Sequence, residues 1–295
     1  MDREGPVAGT RVTRVCAVQI APRLFDRELN TGTVVSELAA AASEGAELVV
    51  FPEAALTGYV FESHGEALDG AVEAGGGEVS AIVETLSGGG VHAIVGAIER
   101  DGTDLFNTAF VVGPAGLVGR YRKIHTLCLG ADRFTRPGGE RLRTFDLPFG
   151  RVGVHICYDG TFPETARALR LLGAQLLTLP TNWPRLGLKR ELVRVRAYEN
   201  HAFYVAVNRV GEERGVVFRG GSVAAAPDGS LLLEADDRAG RHHIDIDLAL
   251  ADETLEVVRP GEYELDLIRD RWPDLYRPIV EDRGDEGGRT GSRGS

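Results

Sequence analysis

Three residues of different chemistry each follow an apolar stretch that is typical of a buried strand. Glu53 follows Leu-Val-Val-Phe-Pro, Lys123 comes shortly after Leu-Val-Gly-Arg-Tyr, and Cys157 follows Val-Gly-Val-His-Ile. The carboxyl ends of strands in an α/β sheet converge on one crevice, where sites commonly form. There a carboxylate can take the thiol proton, an ammonium can offset negative charge, and the thiolate can attack a carbonyl carbon. The spacing predicts covalent acyl transfer without a catalytic histidine.

The choice of lysine at position 123 supports this interpretation. Of 33 basic residues only Lys123 and Lys189 are lysine, and the other 31 are arginine. Arginine cannot replace lysine where a compact point charge or a removable proton is needed. Lys189 lies near the start of an arginine-rich helical stretch, whereas Lys123 has no comparable structural explanation.

Strands and helices alternate around these residues. Strands are predicted at 12–20, 47–51, 91–98, 105–112, 117–121, 142–146, 151–156, 175–179, 202–207, 222–226, 230–235 and 243–248, and helices at 34–42, 79–86, 163–172 and 190–201. The pattern indicates an α/β protein. Residues 1–10 are expected to be an N-terminal tail, 11–281 a single domain, and 282–295, rich in Gly, Arg and Ser, a disordered C-terminal tail.

Composition narrows the class of partner. The 295 residues are 43% hydrophobic and 26% charged, which excludes wholesale disorder. The net charge of −11 argues against nucleic acid and against an anionic membrane surface. No apolar run reaches the roughly 18 residues of a membrane span, and the start of the chain lacks the apolar core of a signal peptide. We therefore expect a cytoplasmic protein with a small-molecule partner.

The cysteines form an odd set without a CxxC pair: Cys16, Cys128 and Cys157. Neither a disulfide framework nor a zinc site is indicated by this spacing, so we expect reduced thiols and no metal.

The segments around the three reactive residues resemble the signature blocks of the nitrilase superfamily of carbon–nitrogen hydrolases, in the family's order. They are Leu48–Glu53 with Thr57–Tyr59, Tyr121–His125, and Gly153–Asp159 with Phe162–Glu164. The likeness runs from about Arg11 to Leu248. It implies a four-layer αββα sandwich that forms a homodimer or higher homo-oligomer and uses no cofactor. It also implies that Glu53 is the base, Lys123 the cation and Cys157 the nucleophile.

The chain departs from the family pattern at two positions. Many members carry a second glutamate shortly after the lysine, and here Asp132 offers a shorter carboxylate. Asp132 either replaces that glutamate or is a surface residue paired with Arg133 or Arg136. Many members also place an arginine in the segment after the cysteine–aspartate pair, where this chain has Gly-Thr-Phe, so a clamp for a substrate carboxylate is missing there.

Three further residues are candidates for the pocket. The resemblance implies that the backbone N–H of Tyr158 forms an oxyanion hole with Lys123, while the Tyr158 side chain can be simply a wall. Asn182 and Trp183 either line the substrate pocket or pack as ordinary loop residues.

Together these features predict a cofactor-free amidase that converts a small amide into a carboxylic acid and ammonia or an amine through a cysteine thioester. Nitrile hydrolysis and hydrolysis of N-carbamoyl amines or N-carbamoyl amino acids are alternatives, since the same three residues serve all of them. A catalytically silent binding or scaffold protein on the same fold is an alternative of another class.

Overall fold

Alternating apolar residues build two six-stranded sheets in the computed structural model, which describes residues 11–281. The tails predicted at 1–10 and 282–295 lie outside the described residues. The strands are β1 Val12–Gln19, β2 Leu48–Val50, β3 His92–Asp101, β4 Asp104–Gly113, β5 Gly116–Arg122, β6 Thr144–Leu147, β7 Gly150–Val154, β8 Leu176–Thr181, β9 Phe203–Asn208, β10 Val210–Glu213, β11 Val216–Arg219, β12 Val223–Ala225, β13 Leu231–Glu234, β14 Gly240–Asp247, β15 Leu255–Arg259 and β16 Tyr263–Asp266. The helices are α1 Arg27–Ser43, α2 His64–Gly70, α3 Gly77–Leu86, α4 Pro163–Leu171 and α5 Lys189–Asn200.

The two sheets have the same arrangement of parallel strands at their centres. The first has the order β14-β1-β2-β3-β4-β5, with β1, β2 and β3 parallel, and the second has the order β13-β12-β9-β8-β7-β6, with β7, β8 and β9 parallel. In each sheet, parallel strands end at a common edge, where binding sites tend to form.

Period-two alternation divides the core into layers. In β1 and β2, Val15 and Leu48 face the second sheet, whereas Val18 and Val49 face α1 and α3. The helices α4 and α5 pack on the outer face of the second sheet, with Val193 of α5 in its core. The result is the four-layer αββα sandwich that the family resemblance implies.

The chain divides into two compact units between Glu253 and Thr254. The second unit contains the β15–β16 hairpin, in which the carboxylate of Asp266 accepts hydrogen bonds from the Thr254 hydroxyl and from backbone N–H groups. Within residues 11–281, no helix is both long and apolar enough to cross a membrane.

Candidate active site

Glu53 lies just after β2, on a turn that fits only because a glycine faces it. A Cβ on Gly96 of β3 would lie 2.3 Å from the Pro52 carbonyl oxygen and 2.7 Å from the Glu53 Cα. The next residue, Ala54, has a left-handed φ of +53°, which is uncommon outside glycine. This sharp turn ends the strand and leaves the Glu53 side chain completely buried.

Lys123 follows the end of β5 and lies between two carboxylates. Its Nζ is 2.8 Å from Glu53 Oε1 and 2.7 Å from Asp132 Oδ2, and all three side chains are fully buried. Burial alone would lower the pKa of Lys123, but the negative charges of the Glu53 and Asp132 carboxylates raise it well above its usual value. Lys123 is therefore a permanent cation in this site.

Asp132 is part of this cluster and not a surface residue. It lies on the short 3-10 turn Gly130–Arg133, and its Oδ2 also accepts the Leu127 N–H at 3.1 Å. The predicted alternative of pairing with Arg133 or Arg136 is wrong. Arg136 pairs with Asp104 at 3.0 Å, and Arg133 Nη2 donates to a backbone carbonyl at 2.6 Å.

The turn reaches inward because Gly130 packs directly against Tyr59. A Cβ on Gly130 would lie 2.7 Å from the Tyr59 carbonyl oxygen, and the Ala131 N–H donates to that oxygen at 2.7 Å. This close packing brings the shorter aspartate side chain within reach of Lys123.

Asn107 completes the cluster, and it was not among the residues predicted from the sequence. It lies on β4, and its Nδ2 donates to Glu53 Oε1 at 2.7 Å and to Asp132 Oδ1 at 2.8 Å. A signal was present in the sequence, because Asn107 and Thr108 are the two polar residues in the apolar stretch Leu-Phe-Asn-Thr-Ala-Phe-Val-Val. Without the fold, however, nothing in that stretch indicates which groups the amide would bind.

Cys157 begins a 3-10 turn (Cys157–Thr161) three residues after β7, instead of ending the strand directly. Its φ of +46° is left-handed, a strained conformation that clusters at functional sites. Burial and the nearby Glu53 carboxylate raise the pKa of the Cys157 thiol to about 12, with Lys123 acting in the opposite direction. The thiol is neutral at rest, and its ionisation needs a base.

The Glu53 carboxylate has one oxygen free for that task. Lys123 and Asn107 both bind Oε1, whereas the buried Oε2 has no hydrogen-bond partner among the described residues. Burial raises the pKa of Glu53, and the Asp132 charge adds to this, while Lys123 and Asn107 oppose it. A raised carboxyl pKa suits a group that must both accept and return a proton.

Asp159 connects the cysteine turn to the segment that carries Lys123. Its buried carboxylate accepts hydrogen bonds from the Ile156 N–H at 3.0 Å, the Tyr121 hydroxyl at 2.8 Å and the His125 N–H at 2.9 Å. Tyr121 and His125 flank the lysine on both sides. This linking role of Asp159 was not predicted, because Tyr121 and His125 lie more than thirty residues away along the chain.

The remaining candidates lie around the cysteine. Tyr158 is half-buried and packs edge-on against the Phe162 ring. Asn182 and Trp183 directly follow β8 and are buried, and the Asn182 backbone N–H acts on the Cys157 thiol to lower its pKa. The side-chain polar atoms of both residues have no hydrogen-bond partner within residues 11–281. Such unpartnered buried groups suit a polar ligand.

Known proteins share this fold and sequence pattern. The family model described as carbon–nitrogen hydrolase matches residues 14–255. A nitrilase of Pyrococcus abyssi is 36% identical over 93% of this chain and 98% of its own length. An (R)-stereoselective amidase of a Pseudomonas species is 32% identical over 86% of this chain and 89% of its own length. The crystal structure of an amidase from a Nesterenkonia species superposes with a TM-score of 0.76 at 23% identity, covering 92% of this chain and 98% of that one.

Proposed function

Because this chain belongs to the carbon–nitrogen hydrolase family, we propose that it is an amidase that cleaves a small amide through a cysteine thioester. The observation that carries the proposal is the arrangement at Glu53. Its Oε1 is held by Lys123 and Asn107, and its Oε2 is left unbonded within the described chain. In the proposed reaction Glu53 is the base, Lys123 the cation and Cys157 the nucleophile.

In the first half-reaction Glu53 takes the Cys157 proton while the sulfur attacks the amide carbon. The negative charge that develops on the amide oxygen is stabilised by Lys123 and the backbone N–H of Tyr158. The carbon–nitrogen bond then breaks, and protonated Glu53 returns its proton to the leaving nitrogen. Ammonia or an amine departs, and Cys157 carries the acyl group as a thioester.

In the second half-reaction Glu53 takes a proton from water, whose oxygen attacks the thioester carbon. The carbon–sulfur bond breaks, the proton passes to the sulfur, and a carboxylic acid leaves. One carboxylate therefore serves both steps. Asn182 and Trp183, with unpartnered polar atoms next to the cysteine, are proposed to line the substrate pocket.

Nitrile hydrolysis is the second candidate, supported by the similarity to the Pyrococcus abyssi nitrilase. The same thiol attack on a nitrile gives a thioimidate, which two waters convert to the acid and ammonia. Hydrolysis of N-carbamoyl amines or amino acids is a further alternative, and a silent binding or scaffold protein is the alternative without chemistry. These possibilities differ in substrate and product, so one screen separates them.

The test is a panel of short amides, ω-amides, N-carbamoyl amines and nitriles, with ammonia and acid products measured for the wild type, Cys157→Ala and Cys128→Ala. We expect turnover of at least one amide, an acyl adduct on the Cys157 peptide by mass spectrometry, and loss of both in Cys157→Ala. Cys128 is exposed, so Cys128→Ala should match the wild type. Turnover by Cys157→Ala above about a hundredth of wild type would overturn the covalent mechanism, and a wild type inert on the whole panel would favour the scaffold.

We further propose that the protein is cytoplasmic and forms a homodimer or larger homo-oligomer. The three cysteines are free thiols, which suits a reducing compartment.

The exposed face of α5 carries Val195 and Tyr198 beside arginines, an amphipathic surface that suits a second copy of this chain. Light scattering should give at least twice the chain mass of 31.7 kDa at micromolar concentration, and a monomer mass would contradict the proposal.

A further inference from the structure

We propose that Asn107 is a positioning residue for the base: its amide holds the Glu53 carboxylate so that Oε1 is occupied and Oε2 is free to meet the thiol. This inference rests on the proposed function, in which Glu53 is the base. Asn107 lies on β4, whereas the three reactive groups follow β2, β5 and β7. The inference follows from the hydrogen bonds around the carboxylates of Glu53 and Asp132.

The four side chains form a closed ring of donors and acceptors. Lys123 Nζ donates to Glu53 Oε1 and Asp132 Oδ2, and Asn107 Nδ2 donates to Glu53 Oε1 and Asp132 Oδ1. Both carboxylates are thus bridged twice, once by a cation and once by a neutral amide. A carboxylate held by two donors on one oxygen cannot rotate without breaking both bonds, so the direction of Oε2 is set by the ring.

Only one orientation of the Asn107 amide is compatible with its contacts to the two carboxylates. Its NH₂ group supplies two hydrogens, one for each carboxylate, whereas its carbonyl oxygen in that place would face two negative charges. The Oδ1 atom is buried without a hydrogen-bond partner among the described residues. Leaving a buried acceptor unpaired costs stability, and an apolar residue of the same shape would avoid that cost. The asparagine therefore fits a role toward Glu53 and Asp132 better than a role in packing.

The amide also acts on the charge of the site. Glu53, Asp132 and Lys123 together carry a net negative charge in a fully buried cluster. Burial raises the pKa of Glu53, and the Asn107 hydrogen bond is one of the interactions that oppose this. Without the amide, Glu53 would hold its proton to a higher pH and would be less available as a base.

Thr108, the next residue on β4, provides a matched control. It is also fully buried, and its Oγ1 donates to a buried carboxylate, Glu99 Oε2, at 2.7 Å. Glu99 pairs with Arg120 and Arg122 and belongs to a different cluster. Loss of the Thr108 hydrogen bond should therefore destabilise the fold as loss of the Asn107 bonds does. It should leave the orientation and the pKa of Glu53 unchanged.

The experiment measures kcat/KM against pH and the melting temperature for the wild type, Asn107→Leu, Asn107→Asp and Thr108→Val. We expect kcat/KM to fall by about 10² in both Asn107 variants, mainly through kcat, because the base is misaligned. The acid limb should move to higher pH in Asn107→Leu and further in Asn107→Asp, which adds a third carboxylate to the cluster. Thr108→Val should lower the melting temperature and leave the acid limb in place.

An acid limb that stays at its wild-type position in both Asn107 variants would overturn the inference, whatever the loss of stability. If Asn107→Leu does not fold, Asn107→Asp has nearly the same shape and carries the comparison. Alkylation of Cys157 by acrylamide, followed by peptide mass against pH, reports on the base without turnover. A wild type that cleaves nothing would overturn the proposed function, while the alkylation profiles would still decide the role of Asn107.

Discussion

The Nζ of Lys123 lies 2.7 Å from Asp132 Oδ2, and neither side chain is exposed to solvent. A buried ion pair of this kind is strongly sensitive to the removal of one partner, since the other is left as an uncompensated charge. The pair also connects the Gly130–Arg133 turn to the end of β5. Asp132 is thus the second carboxylate that holds the lysine.

Asp132→Asn should therefore lower kcat/KM by about 10² or more, because the neutral amide no longer holds the lysine as a carboxylate does. Steady-state kinetics on the best amide substrate provide the measurement. Asp104→Asn is the matched control, since Asp104 makes an ion pair with Arg136 at a partly exposed position, and such pairs contribute little. Near wild-type kinetics in Asp132→Asn would remove Asp132 from the reaction.

Glu53→Gln should reduce kcat by at least about 10²–10⁴, the usual contribution of a general base, and it should affect both half-reactions. The amide has nearly the same shape but cannot accept a proton. Glu99→Gln is the control, because Glu99 is equally buried and ion-paired but lies outside the site. It should lose stability and keep most of its activity. Rapid-quench kinetics with mass detection of the thioester separate slow acylation from blocked hydrolysis, and a Glu53→Gln enzyme with wild-type turnover would contradict the assignment.

Gly96→Ala should displace the Glu53 turn, since the added Cβ would lie 2.3 Å from the Pro52 carbonyl oxygen and 2.6 Å from the Ala54 nitrogen. Overpacking of this kind typically costs about 1–3 kcal/mol, and kcat should fall together with stability. Gly90→Ala is the control, because nothing lies within 4 Å of the added carbon. Denaturant unfolding and kinetics on both variants test this, and an unaffected Gly96→Ala enzyme would show that the turn has room to move.

The pH dependence follows from the raised pKa values of the site. Since Glu53 must be ionised, kcat/KM should rise as the pH passes through its raised pKa. It should then stay level well into the alkaline range, because burial raises the pKa of Cys157 to about 12. A decline near the ordinary thiol pKa of about 8.5 would contradict a buried neutral thiol.

The same raised pKa of Glu53 has a consequence for stability. The folded chain holds the Glu53 proton to a higher pH than the unfolded chain, whose glutamate pKa is about 4.3. The free energy of unfolding therefore falls as the pH rises from there through the folded-state pKa. Glu53→Gln lacks this loss, so its stability relative to wild type should increase across that window. Urea unfolding at several pH values measures the difference, and a constant difference would contradict the raised pKa.

The candidate site residues could be predicted from the sequence because each is embedded in a local motif. Glu53, Lys123 and Cys157 follow strands that apolar periodicity reveals, and the flanking segments resemble a known family. The α/β class followed from the same periodicity, whereas the four-layer sandwich was implied by the family resemblance. The predicted strand at 151–156 was too long, because β7 ends at Val154 and the 3-10 turn Cys157–Thr161 follows shortly after it.

Residues that act through long-range contacts could not be assigned from the sequence. The amide of Asn107 meets Glu53 across 54 positions of the chain, and Asp159 meets Tyr121 across 38. The first contact depends on how the strands of one sheet pair and the second on how the two sheets stack, and no local pattern encodes either. The short hairpins β10–β11 and β15–β16 were not predicted either, because their strands lack a clear apolar alternation and β15 is exposed along its whole length.

The 3-10 turn that begins at Cys157 extends from the second sheet, whereas Glu53, Asn107 and Lys123 are carried by the first. In the proposed mechanism, the distance between the Cys157 sulfur and the Glu53 carboxylate is therefore a distance between the two sheets, and it depends on the side chains packed between them. Misplacement of reacting groups by about 1 Å can cost about 10² in rate. Substitutions deep between the sheets, far from any substrate, can thus act as catalytic mutations. Activity should therefore be sensitive to the alignment of the two sheets. It should fall at a lower temperature or denaturant concentration than that at which the strands separate.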